Sequence, residues 1–253
     1  MKAIEKLSPE HPYVKIGAEK VAKYAGDAKE LLTVCGLPLV GDASKNGYVM
    51  SATGTLKPAW LAIGDSTFLK EKDEKIGTKA LIVNIEGFLD FNTSLIAAEF
   101  EKRGVSCKIT AVTTDEIKTL RKNPSEMRSS NISKVMENES IRAKFVAAVN
   151  AVVHDEDLVV LPAVFGLKSY ASVEDVRRKI SAKTIFLGTL PPSVAGIRSQ
   201  RQLKESFIAA GGTFLMGDEV VSAQLEDGAV KSVKTDNLGD EEMVAENFIL
   251  ASG

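Results

Sequence analysis

Two cysteines, two histidines and one tryptophan in 253 residues leave little material for several kinds of chemistry. Cys35 and Cys107 are isolated, which excludes a disulfide scaffold and a zinc knuckle. His11 and His154 are far apart and neither has a partner at metal-ligand spacing, so the residues offer no metal centre. His154 sits among charges at a helix end and reads as solvated or capping. No apolar run is long enough to span a bilayer, and the stretch from Leu158 to Leu167 is broken by Pro162. The chain has 32 basic against 34 acidic residues, with no basic stripe of the kind that marks nucleic-acid or anionic-membrane binding. Met1 to Glu10 has no apolar segment like that of a secretory signal, so the chain reads as cytoplasmic. A search for G-x-G-x-x-G, a P-loop, H-E-x-x-H and G-x-S-x-G finds none of them.

What is present is organised around Thr189-Leu190-Pro191-Pro192-Ser193-Val194-Ala195-Gly196-Ile197-Arg198. The apolar run Thr184 to Gly188 reads as a buried strand leading into this loop. Two prolines forbid further pairing, and they hold themselves and the residues before them extended. After Gly196 the pattern turns helical, with Leu203, Phe207 and Ile208 on one face. Ligands of open α/β sheets bind beside the carboxyl ends of strands, so this loop is the first place to look for a site. A proline-rich connection with a solvated arginine is the plain alternative.

The remaining pattern is α/β. A helical stripe (Val21, Ala25, Ala28, Leu31, Leu32) follows His11-Pro12-Tyr13 and stops at Gly36. Strand-type residues from Tyr48 to Ala62 surround a turn at Thr53-Gly54-Thr55, with Trp60 expected in a core or interface. Ala80–Ile85, Val105–Val112, Leu158–Leu161 and Thr184–Leu187 read as strands, the first almost continuously aliphatic as when both faces are covered. Helices are expected between them, with Asp90 or Asn92 and then Ser172 with Asp175 as caps. Thr213–Met216 and Phe248–Gly253 read as strands, the second buried, and Asp227-Gly228 marks a hairpin. The expected architecture is a mainly parallel sheet with helices on both faces over residues 78–190. Helix and hairpin pieces over 1–77 and a helix with a β-meander over 191–253 accompany it.

Chemistry concentrates in two places. Leu120 to Arg128 leads polar residues into a turn at Asn131, and Arg128 with Arg198 could clamp a phosphate or carboxylate. A surface loop with Arg128 paired to Glu126 fits the same spacing. Ser193 has no base nearby in sequence, which argues against a nucleophile.

The segment 202–253 resembles the stretch by which flavoproteins of the fumarate-reductase type return to their flavin domain. The matching pattern is Leu203…Gly211-Gly212…Gly217…Val220, an acidic-Gly hairpin, and Ile249-Leu250-Ala251-Ser252-Gly253. From about His11 onward the chain resembles, more specifically, the B-subunit family of anaerobic glycerol-3-phosphate dehydrogenases. The resemblance rests on His11-Pro12-Tyr13, Gly54-Thr55-Leu56, Trp60-Leu61, Gly87-Phe88-Leu89-Asp90-Phe91 and Leu120-Arg121-Lys122-Asn123. It continues through Arg128, Asn131-Ile132, Leu161-Pro162-Ala163, Phe165-Gly166-Leu167, the whole proline loop, and Gly217-Asp218-Glu219-Val220.

This resemblance implies oxidation of sn-glycerol 3-phosphate to dihydroxyacetone phosphate with a non-covalent flavin, FMN or FAD, and electrons passed on to a quinone. It implies two partner subunits, one catalytic and one an iron–sulfur membrane anchor, with this chain peripheral to the inner membrane. Arg198 and Arg128 are then expected to hold the substrate phosphate, Ser193 and Asn131 to add neutral hydrogen bonds, and His11 to be the candidate base. Val220, Ser252 and Gly253 carry over as flavin contacts. The family's opening strand with its G-x-G-x-x-G turn is missing here, as is a continuation past the last strand. The chain is therefore expected to be a fragment that binds flavin poorly. An alternative from another class is an interaction and electron-relay role, the proline loop docking on a partner flavoprotein that holds the substrate site.

Overall fold

The computed structural model describes residues 4–251. Pro12 opens a short helix, α1 (Pro12–Ile16), where its missing N–H costs nothing, and the His11 ring caps it by accepting from the Tyr13 N–H. Gly17 at φ 91° separates it from α2 (Ala18–Val34). None of the 17 residues of α2 is buried. Its Val21, Tyr24, Ala25 and Ala28 instead line an open cleft of about 830 Å³ with Tyr13 and the half-buried Trp60. Two antiparallel pieces follow. β1 (Leu39–Gly41) pairs with β4 (Leu61–Ile63), and β2 (Gly47–Met50) lies between β3 (Leu56–Ala59) and β5 (Phe68–Leu69). The β2–β3 turn is the expected one, with Gly54 at φ 85° and Ser51 Oγ bonded to Thr55 Oγ1 at 2.7 Å.

The centre is a four-stranded parallel sheet. In chain order it contains β6 (Lys79–Ile85), α3 (Thr93–Glu101), β7 (Ser106–Val112), α4 (Asp115–Arg121), α5 (Ser129–Met136), α6 (Glu139–Asn150), β8 (Leu158–Pro162), α7 (Ala171–Lys179) and β9 (Lys183–Leu187). Spatial order is β7-β6-β8-β9. Successive strand residues face opposite sides. All of β8, and nearly all of β6 and β9, are buried, so helices cover both faces, as the aliphatic runs predict. Only the edge strand β7 is largely open. Phe165 packs between Phe145 and Phe186, with ring centroids 5.6 and 5.8 Å away, and Thr67 Oγ1 donates to the Phe186 carbonyl at 2.9 Å. Asn92, not Asp90, caps α3 through the Leu95 N–H. The capping box expected at Ser172 and Asp175 does not form, because Asp175 turns to Arg178 and Lys179 along its own helix.

The helix after the proline loop is α8 (Val194–Ala209). It buries Val194, Arg198 and Ser199, while Leu203, Phe207 and Ile208 are 37–50% exposed. The apolar face is thus not the buried one. The start of α8 is fixed by a polar anchor, and that anchor sets the rotation of the helix.

The chain forms two compact units, one up to Leu203 and one from Lys204. The second is a meander of β10 (Val220–Glu226), β11 (Ala229–Thr235) and β12 (Met243–Val244) in that order. Asp227 at φ 51° and Gly228 at φ 79° make the β10–β11 turn, the left-handed pair that matches strand twist. Residues 213–216 and 248–251 form no strand, and Ile249 and Leu250 are about nine-tenths exposed. Strand character without a hydrogen-bonded neighbour among the described residues does not make a strand. No helix is long and apolar enough to cross a membrane among the described residues.

Candidate functional site

The strand order reverses direction between β6 and β8, so the carboxyl end of the sheet there is the topological switch point. At this end Arg198, on the helix after β9, ties the loop after β8 to the β4–β5 connection. Arg198, fully buried in the first turns of α8, reaches Asp65 with one guanidinium nitrogen and donates to the Gly166 carbonyl with the other. The Tyr170 ring lies 5.5 Å from its Cζ, and the Tyr170 hydroxyl donates to the Gly64 carbonyl at 2.9 Å. Gly166 is needed at φ 71°, since a Cβ there would come within 2.7 Å of the Ser169 carbonyl. Burial pushes the Asp65 carboxyl above its usual range, and Arg198 pulls it part of the way back.

The two segments singled out in the sequence do meet. Ser129, the first residue of α5, donates its Oγ to the Pro192 carbonyl at 3.0 Å. This brings the start of α5 against the start of α8. Ser193 caps α8, its Oγ accepting the Gly196 N–H at 3.1 Å and its carbonyl the Ile197 N–H at 3.0 Å. Arg128 stands exposed immediately before α5, outside the helix and without a side-chain capping bond. The arrangement places an exposed arginine beside the start of α5, which has no side-chain cap, a setting that favours anions.

Several expected roles change. Arg198 is not an open clamp, because its two terminal guanidinium nitrogens go to Asp65 and Gly166 and the side chain is sealed from solvent. Asn131 does not stand free beside Arg128. Its Nδ2 donates to Glu126 Oε2 at 2.7 Å, so Glu126 pairs with the asparagine. His11 is not placed as a base. Its Nδ1 accepts the Tyr13 N–H at 3.1 Å, which puts the proton of the neutral ring on Nε2 and leaves no free lone pair. Val220 is 59% exposed on β10, and Ser252 and Gly253 lie outside the described residues. Sequence reasoning did not single out Asp65, Tyr170 or Arg177. Asp65 is marked only by the preceding Gly64 and Arg177 only by a charged helix end, and nothing local marks Tyr170.

A flavin dinucleotide needs a glycine-lined strand-to-helix turn whose N–H groups are free for phosphate. The described turns do not fit that need. Asn92 caps α3, Thr114 caps α4 through the Ile117 N–H, and Ser193 caps α8, each filling its own helix start. A Cβ on Gly87, after β6, would come within 3.0 Å of the Arg121 side chain, and Phe88 and Phe91 of the same turn are buried in the core. No group of His, Cys, Asp or Glu could hold a metal ion among the described residues.

Curated proteins named as the B subunit of anaerobic glycerol-3-phosphate dehydrogenase are similar along the chain. The one from Yersinia enterocolitica is 33% identical over 257 residues, covering 100% of this chain and 60% of the relative. The one from Haemophilus influenzae (strain ATCC 51907) is 32% identical over 255 residues, covering 99% and 59%. The one from Yersinia pestis is 29% identical over 254 residues, covering 100% and 60%. The chain therefore spans about three fifths of the length of the curated relatives it matches. No solved structure matches it. A family profile described as FAD binding domain matches residues 1–253, and the chain belongs to that FAD-binding family.

Proposed function

We propose that this chain is part of a flavin-linked oxidoreductase subunit that oxidises sn-glycerol 3-phosphate to dihydroxyacetone phosphate and sends the electrons to a quinone. The observation that carries the reading is the whole-chain similarity to proteins named as the B subunit of anaerobic glycerol-3-phosphate dehydrogenase. In the same reading the chain works in a complex with two partner subunits, one catalytic and one an iron–sulfur anchor that holds it at the inner membrane. FAD is the cofactor the family match favours, although the described residues supply no cradle for it.

What these residues contribute is anion recognition and support. Arg128 is the exposed guanidinium beside the starts of α5 and α8, and it is assigned the substrate phosphate. Ser193 holds the start of α8, Asn131 fixes the turn through Glu126, and Arg198 with Asp65 locks the loops behind them. The test is Arg128→Gln in the assembled complex. A charge-assisted contact is worth about 1.5–3 kcal/mol, so KM for sn-glycerol 3-phosphate should rise tenfold or more with kcat little changed. Unaltered KM and kcat would remove Arg128 from the site.

A second reading has its own support. Leu190 is 56% exposed and Pro191 and Pro192 are exposed beside it, forming a stiff apolar tip. Such a tip suits docking on a partner flavoprotein, with this chain as the electron relay. Activity of the isolated, flavin-loaded subunit with an artificial acceptor favours the first reading, and its absence favours the second.

A further inference from the structure

A cavity of about 690 Å³, walled by residues of β1, β2, β5 and α7, has no part in the reading above. Arg177 of α7 lines it, and its surroundings are unusual for a half-buried guanidinium. Its two hydrogen bonds are long and go to neutral acceptors, Tyr170 Oη at 3.3 Å and the Gly64 carbonyl at 3.4 Å. Its Cζ lies 5.3 Å from the centroid of the Phe186 ring, which supports the group in place. The carboxylate whose field reaches it is Asp65, and Arg198 already holds that carboxylate by direct contact. One buried acid thus serves two guanidiniums, and positive charge is left over at the Arg177 end.

The other charged groups lining the cavity are mostly spent. Lys45 pairs with Glu71. Asp42 accepts the Ser44 N–H at 2.8 Å and lies 3.8 Å from Lys29. Glu74 accepts the backbone N–H of Lys70 at 2.8 Å. Arg177 and the exposed ammonium of Lys70 are then two cations against the single carboxylate of Glu74. Ser66 and Asn46 add neutral donors, and Phe68 an apolar wall.

We propose that this cavity binds a small phosphate monoester, with Arg177 as its principal contact and Lys70 as its second charge. A guanidinium fork joined by an ammonium and neutral donors from other directions suits a tetrahedral oxyanion. Because Arg177 is already held on Phe186, little ordering cost falls on binding. The inference rests on the cavity and not on the proposed reaction, so the two fail separately.

The experiment is a titration of the chain with inorganic phosphate and with glycerol phosphate, followed by two-dimensional amide NMR. Saturable shifts are expected at Gly47, Gly64 and Ser66, with affinity falling at least tenfold in Arg177→Gln and partly restored in Arg177→Lys. No saturable shift, shifts confined to residues 128–131 and 190–196, or unchanged affinity in Arg177→Gln would overturn the proposal. Should Arg177→Gln fail to fold, Lys70→Gln carries the test from an exposed position. A threefold or greater weakening is then expected, and unchanged affinity overturns the proposal.

Discussion

Removing Asp65 should damage this protein more than removing its partner Arg198, and the two losses should respond differently to pH. The pair is buried, Arg198 fully and Asp65 to within 4%, and breaking such a pair from one side costs about 3–5 kcal/mol. Asp65→Ala strands a guanidinium that cannot shed its proton. Its only remaining bond is to the Gly166 carbonyl. With a urea m-value of about 2–3 kcal/mol/M, the midpoint reported by Trp60 fluorescence should fall by roughly 1–2 M. Arg198→Met leaves a buried carboxyl that has an escape, because it can take up a proton. Burial already raises Asp65 above its usual value, and losing Arg198 removes the opposing influence. The folded state then takes up its proton at a higher pH than the unfolded state, whose carboxyl titrates at about 3.9. By linkage, stability of Arg198→Met therefore rises as pH falls towards the unfolded carboxyl value, by at most about 1.4 kcal/mol per unit. The Asp65→Ala deficit should stay flat over the same range. A deficit under about 1 kcal/mol for Asp65→Ala, or a pH-independent deficit for Arg198→Met, would refute the assignment of this pair as the anchor of α8.

Burial pushes the Cys107 thiol up to about 11, so in the folded protein its alkylation by iodoacetamide should be slow at pH 8 and become rapid only in urea, as read by mass spectrometry. Asp157 accepts the Lys79 and Thr78 N–H groups at the start of β6, which holds its carboxyl below the usual range. Its stabilisation is therefore complete above about pH 4 and lost as pH falls through the depressed value, and Asp157→Asn should flatten the acid limb of stability against pH. Ser193→Ala removes the cap of α8 and should cost about 1 kcal/mol by denaturant unfolding. In the second unit, Gly228→Val forces a β-branched residue to φ 79° and should melt the meander while leaving the Trp60 transition in place.

The parallel sheet was legible because strands covered on both faces must be aliphatic throughout, as in Leu81-Ile82-Val83 and Leu158-Val159-Val160. The β10–β11 turn was legible because Asp227-Gly228 is one of few pairs that adopt two left-handed residues cheaply. The buried face of α8 is not legible from hydrophobic spacing, which groups Leu203, Phe207 and Ile208, because the helix is set by Arg198 reaching a carboxylate that lies distant in sequence. No local pattern encodes that pairing. The same distance hid Arg177, which in Arg177-Arg178-Lys179 looks like an ordinary charged helix end. The 128–131 turn meets the proline loop through the Ser129 hydroxyl on the Pro192 carbonyl, not through the pair of arginines that the chemistry of the sequence suggests.

The central proposal is that sn-glycerol 3-phosphate is oxidised by a flavin on the subunit of which this chain is part. Its most direct test is anaerobic addition of that substrate to the flavin-loaded subunit without its partners, with the visible flavin absorbance recorded. Bleaching that saturates with substrate, and that needs about tenfold more of it in Arg128→Gln, is the predicted result. Bound flavin that stays oxidised at saturating substrate would contradict the claim and move the chemistry to the partner.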